Sequence, residues 1–207
     1  MGKLASAFRI LLPLALGAAV LASPAHAQFS DSYKFLEAVR KKDGAKVDAF
    51  LNEPGSNIVN TRDLTSGDSA LHIVTTRRDL TWMTFLIQKG ANINARNERG
   101  ETPLVLASNL GFIEGVELLV ERKARVDEPN DTGETPLISA VHRRNLALLR
   151  ILLKAGADPD RADNSGRSAR DYAALDGQNS TLLSEIDANA RAKAARRPAA
   201  PSYGPSL

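Results

Sequence analysis

The sequence predicts an all-α repeat solenoid of paired helices with hairpin-like finger loops, in about five units counting degenerate ends. Three observations predict it. Gly100-Glu101-Thr102-Pro103-Leu104 returns as Gly133-Glu134-Thr135-Pro136-Leu137, with looser copies at Gly67-Asp68-Ser69-Ala70-Leu71 and Gly166-Arg167-Ser168-Ala169-Arg170, so the four glycines stand 33 residues apart. Each glycine is followed by two apolar stretches at helical spacing. Leu104, Val105, Leu106 and Ala107 precede a break at Gly111, and Ile113, Val116, Leu118, Leu119 and Val120 follow it. Turns at Lys89-Gly90-Ala91, Arg122-Lys123-Ala124 and Ala155-Gly156-Ala157 then close each period in the same phase. One such helix pair cannot bury both of its apolar faces, and a stacked neighbour supplies the missing partner.

The elements follow in order. Met1–Ala27 has Lys3 and Arg9 at its start, an apolar run from Ile10 to Ala22 and the ending Ala25-His26-Ala27, which is the layout of a secretory signal peptide. Cleavage is expected between Ala27 and Gln28; the competing reading is an uncleaved membrane anchor, which the shortness of the run and Pro13 and Gly17 within it disfavour. Phe35 to Asp43 reads as the first helix of an opening unit without the Gly-x-Thr-Pro start, and Val47, Phe50 and Leu51 as its second helix. The connection from Asn52 to Ser66 is longer than its later counterparts and holds Pro54-Gly55, which predicts an irregular first finger.

In the middle units Thr102-Pro103 and Thr135-Pro136 are helix starts, the threonine capping free N–H groups and the proline losing no internal bond. The slot between the two helices of a unit holds Gly111 and Gly177 but also Lys42, Arg78 and Arg144. If that slot is left-handed, a residue with a side chain costs on the order of 1 kcal/mol there, and Arg144→Gly should stabilise the fold. Lys123 faces the same strain at a helix end where Gly90 and Gly156 stand in the other units. Trp82 begins a second helix beside Met83, Phe85 and Leu86, a packing position that leaves a partner contact open. Ala169 to Leu175 with Leu182, Leu183 and Ile186 makes a closing unit whose outer side is more polar. Residues 188–207 form a basic, Ala- and Pro-rich tail, expected to be a short helical extension that gives way to disorder.

Taken together, Gly-x-Thr-Pro-Leu, two helices, a Gly-Ala turn and a polar finger resemble the ankyrin repeat, over roughly 35 to 187 within a domain spanning 28–187. The resemblance implies a continuous concave face built from finger tips and the exposed side of each first helix. It nominates Leu64 and Thr65; Arg96, Asn97, Glu98 and Arg99; Asn130, Asp131 and Thr132; and Asp163 and Asn164 from the fingers. From the first-helix ends it adds Arg77, Asn109, His142 and Arg143. It also implies that His72, which follows Leu71 in a slot where ankyrin units often carry histidine, makes a local hydrogen bond tying helix to finger.

Charge along these positions is uneven. Asp127, Glu128, Asp131 and Glu134 make one finger acidic, as Asp158, Asp160 and Asp163 do the next, whereas Arg77-Arg78 and Arg143-Arg144 are basic pairs. Acidic fingers over a basic ridge would orient a charged partner; the alternative is ordinary solvated surface charge.

Chemistry is harder to find. The chain has no cysteine, which excludes disulfides and thiol catalysis and is compatible with an oxidising compartment. Asp131-Thr132-Gly133 spells an aspartic-protease tripeptide, but such a site needs two carboxylates in apposition, and the repeat phase places this one in a finger turn where Asp and Gly are expected. His72 and His142 are too far apart for a metal pair, and phosphate-binding loops, nucleophile elbows and dinucleotide fingerprints are missing. No enzyme, cofactor or metal is expected.

Of the 27 Lys and Arg residues, Lys3 and Arg9 leave with the leader, so 25 remain against 24 Asp and Glu. Near-neutrality removes the argument for a nucleic-acid partner. The tail, with Arg191, Lys193, Arg196 and Arg197, allows at most a weak membrane contact. The expectation is a monomeric periplasmic module that holds or protects another protein, as exported bacterial ankyrin proteins resembling this one support oxidative-stress enzymes such as catalase. A secreted effector that binds a host protein is the alternative.

Overall fold

The computed structural model describes residues 24–175, Gly177 and 180–195. Most of the expected leader and the end of the tail lie outside the described residues, and the expected cleavage pair Ala27–Gln28 falls in the first turns of a helix. Ten α-helices are present among the described residues: α1 (Pro24–Lys41), α2 (Gly44–Leu51), α3 (Ala70–Thr76), α4 (Leu80–Gln88), α5 (Pro103–Leu110), α6 (Ile113–Glu121), α7 (Pro136–His142), α8 (Leu146–Lys154), α9 (Ala169–Ala174) and α10 (Thr181–Ala195). The odd-numbered helices pack in one row, α1 on α3 and so on to α9, and α4, α6, α8 and α10 pack in a second. This is the paired-helix solenoid that the 33-residue period predicts.

Each unit is built from short-range instructions. Thr102 and Thr135 cap α5 and α7 by accepting the amide hydrogens of Val105 and Ile138, both at 3.3 Å, with Pro103 and Pro136 in the first turn. Asp43, Asp79 and Asn145 cap α2, α4 and α8 in the same way. Leu71, Leu104 and Leu137, at one phase of the repeat, are each at most 1 % exposed and join Val74, Val116, Leu119, Leu148, Leu149 and Leu152 in one continuous core. The last unit breaks this phase: Arg170 stands where the others have leucine and pairs with Asp160 at 2.6 Å and with Asp187 of α10. A polar substitution at that point suits a unit with no successor to pack against.

The slot between paired helices is left-handed throughout, with φ of 58° at Lys42, 56° at Arg78, 65° at Gly111, 52° at Arg144 and 87° at Gly177. The same holds at the ends of α4, α6 and α8, where Gly90, Lys123 and Gly156 have φ of 89°, 65° and 98°. Arg144 has an interaction partner of its own, so Lys123, exposed and without an ion pair among the described residues, isolates the backbone strain. Lys123→Gly is expected to raise the unfolding free energy by about 1 kcal/mol in urea titration, because glycine removes the side-chain clash of the left-handed region. A loss of stability would mean that the greater freedom of glycine in the unfolded chain outweighs that relief.

The two ends differ from the sequence reading. α1 begins at Pro24 rather than near Phe35. The irregularity expected between Asn52 and Ser66 has two parts. A turn at 52–57 and a 3-10 turn at Ile58–Asn60 take up the extra length, and the first finger carries one additional residue at its tip. In the later fingers the glycine amide donates three residues back, Gly100 to Asn97, Gly133 to Asn130 and Gly166 to Asp163, all at 3.0 Å. In the first, Gly67 donates four back, to Asp63 at 2.9 Å.

Candidate binding face

Each finger is an Asx-stabilised hairpin turn. The side-chain oxygen of Asn97 accepts the amides of Arg99 and Glu101, Asn130 those of Thr132 and Glu134, Asp163 those of Ser165 and Arg167, and Asp63 those of Thr65 and Ser66. Successive fingers are then joined by one backbone hydrogen bond apiece. The amide of Glu98 donates to the Ser66 carbonyl at 3.0 Å, that of Asp131 to Arg99 at 3.1 Å and that of Asn164 to Thr132 at 3.1 Å. The tips therefore form one ladder along the molecule.

The fingers lean over the inner helices. Glu134 reaches His142 at 3.4 Å, Asp163 accepts the Tyr172 hydroxyl at 2.7 Å, and Asp63 pairs with Arg40 of α1 at 2.6 Å. His142 and Tyr172 meet edge to face with centroids 4.5 Å apart, and the Arg167 guanidinium lies 5.9 Å from the Tyr172 ring centre. Finger tips and inner-helix ends thus share one side, as the resemblance implies.

The structure sorts the nominated residues by what they are already doing. Leu64, Thr65, Glu98, Arg99, Asp131, Thr132, His142, Arg143 and Asn164 are exposed on this face. Asn97 is not available to a partner: it is 6 % exposed, and its amide donates to Asp68 at 3.0 Å and to Glu101 at 3.1 Å. Asn130 and Asp163 are partly buried turn formers. Asn109 is partly buried, and its carbonyl is taken by the neighbouring unit.

The basic ridge has the clearest structural role. A helix ends with carbonyls lacking an internal donor, and arginines of adjacent units supply it at the ends of α1 and α5. Arg77 donates to the carbonyls of Val39 and Arg40 at the end of α1, at 2.5 and 3.2 Å. The end of α5 is held from both sides, Arg78 donating to Leu110 at 2.5 Å and Arg143 to Asn109 at 2.7 Å. Arg77 also lies 5.8 Å from the ring centre of Trp82, which packs half-buried and edge-on to Phe85.

The acidic fingers are largely compensated within the chain. Arg96 holds Asp131 at 3.2 Å and Glu128 at 3.5 Å, and Arg170 holds Asp160. Asp131-Thr132-Gly133 is thereby a finger turn, as its phase predicts. The Thr65 and Ser66 amides, with Arg40 beside them, hold the Asp63 carboxyl down to about 2, and the Ser165 and Tyr172 hydroxyls hold Asp163 well below the usual range. Free charge on the face is consequently sparse. Sequence reasoning passed over Tyr33 because it lies before the expected start of the first helix, and Tyr172 because it read as closing-unit packing. The extra residue at the first tip was countable from Asp63-to-Gly67 against Asn97-to-Gly100.

His72 ties unit to unit. Fully buried, its Nδ1 accepts from the Ser69 amide at 3.2 Å and pairs with the Ser69 hydroxyl at 2.8 Å, while Nε2–H donates to the Glu101 carbonyl of the next finger at 2.9 Å. The local bond that the resemblance implies is made to Ser69, and a second bond crosses the repeat boundary.

Among the described residues no group of three or more His, Cys, Asp or Glu side chains is arranged to hold a metal, and no helix is long and apolar enough to cross a membrane. Family models match the repeats directly. One of ankyrin repeats in three copies covers residues 35–130 and one of ankyrin repeats in many copies covers residues 119–173, together about two thirds of the chain. With the two-row helix stack, the finger ladder and the constant repeat phase already described, the chain belongs to the ankyrin-repeat family, whose arrays are non-catalytic scaffolds for protein–protein contact.

Proposed function

We propose that this chain is a periplasmic interaction module that binds, and stabilises or protects, another envelope protein through its concave face. The observation that carries the reading is the surplus on that face. Glu98, Thr132 and His142 are exposed and come from three successive units; the side chains of Glu98 and His142 close no turn and cap no helix, and the Thr132 hydroxyl only adds to the amide bond that already closes its turn on Asn130. Periplasmic placement rests on the leader-like Met1–Ala27 and on the absence of cysteine from the chain.

The test is affinity capture from an envelope extract by the chain Gln28–Leu207 and by the triple variant Glu98→Ala, Thr132→Ala, His142→Ala. A partner retained by the first and lost by the second, at unchanged melting temperature, is the expected result. Equal retention by both would move the contact away from this face, and recovery of the chain from culture medium rather than the periplasmic fraction would favour the secreted reading.

A further inference from the structure

The first finger carries an apolar residue that the fold does not use. Three later fingers close with three-residue steps and polar tips, Glu98-Arg99, Asp131-Thr132 and Asn164-Ser165, whereas the first takes an additional residue and presents Leu64 at 81 % exposure. Leu64 lines a cleft against α1, where Tyr33 is 64 % exposed. Together they rim a cleft of about 260 Å3 that is floored by the buried Leu36. Two of the four large apolar side chains left exposed among the described residues therefore meet at one place.

The charges at the cleft differ in availability. Asp63 is occupied, accepting from two amides and from Arg40. Arg62 is exposed, lines the cleft and makes no ion pair among the described residues. Thr65 adds an exposed hydroxyl whose own amide is already bonded to Asp63. The cleft thus offers an apolar anchor point beside one uncompensated cation. It is open and smaller than the roughly 300–1,000 Å3 of small-molecule sites, which suits a side chain rather than a whole ligand.

We infer that this cleft is an anchor site for a protein segment presenting an apolar side chain next to a carboxylate. The apolar group seats between Tyr33 and Leu64 above Leu36, and the carboxylate pairs with Arg62. This rests on the concave-face reading above and gives it polarity, since the partner is then fixed at the first-finger end. A buried apolar anchor supplies most of the affinity, while the rim charge selects the sequence and speeds association.

Selection of displayed random short peptides on the full chain, with the winners resynthesised for fluorescence anisotropy, tests it. Expected winners carry Leu, Met or Phe adjacent to Asp or Glu. They bind Leu64→Ser about tenfold more weakly, and selection on Arg62→Glu shifts the adjacent residue to Lys or Arg. Leu64 is almost fully exposed, so the melting temperature of Leu64→Ser should match wild type and keep loss of binding interpretable. Winners that lack the apolar–acidic pair, or that bind Leu64→Ser as well as wild type, overturn the inference. If such winners instead fail on the Glu98, Thr132, His142 triple variant, the concave-face reading survives; if they are indifferent to both variants, neither stands. A selection with no enrichment also overturns the cleft as a peptide site.

Discussion

Gly133→Ala is expected to lower the unfolding free energy by about 2–4 kcal/mol, combining left-handed strain with displacement of the next finger. Gly133 has φ of 83°, and a Cβ there would meet the Asn164 amide nitrogen at 2.5 Å and the Asp163 Cα at 2.8 Å. Both are backbone atoms that cannot rotate away. Relief requires the fourth finger to shift, which breaks the Asn164-to-Thr132 hydrogen bond and the Asn164 side-chain bond to the Asp131 carbonyl. Gly166→Ala is the control. Its φ of 82° is nearly the same, but nothing lies within 4 Å of the added Cβ, so only the strain of about 1–2 kcal/mol remains. Urea unfolding of the two variants separates the terms. Equal losses would show that the ladder between fingers contributes nothing beyond local geometry, and hydrogen exchange should place the extra loss of Gly133→Ala in residues beyond Thr132.

This contrast marks how far the sequence could be read. Period, helix starts and left-handed slots were all legible, because each depends on residue type at a fixed phase: threonine and proline at 102–103 and 135–136, and a break at 42, 78, 111, 144 and 177. The fate of a polar side chain was not. Asn97, Asn130 and Asp163 occupy equivalent turn positions, yet Asn97 is buried and the other two are not, since burial depends on what neighbouring units place over the turn. Arg77, Arg78 and Arg143 looked like a free basic ridge because a sequence displays their charge but not the unsatisfied carbonyls 32 to 38 residues away that they cap. The nominated residues lie along one side of the molecule, but several of them are committed to closing turns and capping helix ends.

His72→Val is the sharper test of coupling between units, with an expected loss of about 2–3 kcal/mol that arises from unpaired polar groups more than from packing. The slot itself tolerates an aliphatic side chain, since Val105 and Ile138 hold the same phase in the next two units and are fully buried. What valine cannot do is receive the Ser69 amide and donate to the Glu101 carbonyl, so at the boundary between the second and third units the amide is left unpaired and the carbonyl keeps only the Asn97 amide. Burial pushes the imidazole below its ordinary value of 6.5, against the raising effects of the Glu101 carbonyl and of the Asp68 and Glu101 charges; Arg62 acts in the same direction as burial. The unfolded chain then binds the proton first. Wild-type stability accordingly falls as pH drops below about 6.5 and levels off once the folded state is protonated as well. The variant should be less stable at pH 7 but flat down to about pH 5, its acid loss beginning below that as Glu37 and Glu185, and then Asp63 and Asp163, take up protons in the unfolded chain while remaining ionised in the folded one. A variant that retains the wild-type slope between pH 7 and 5 would assign that slope to another group and reduce His72 to a packing residue.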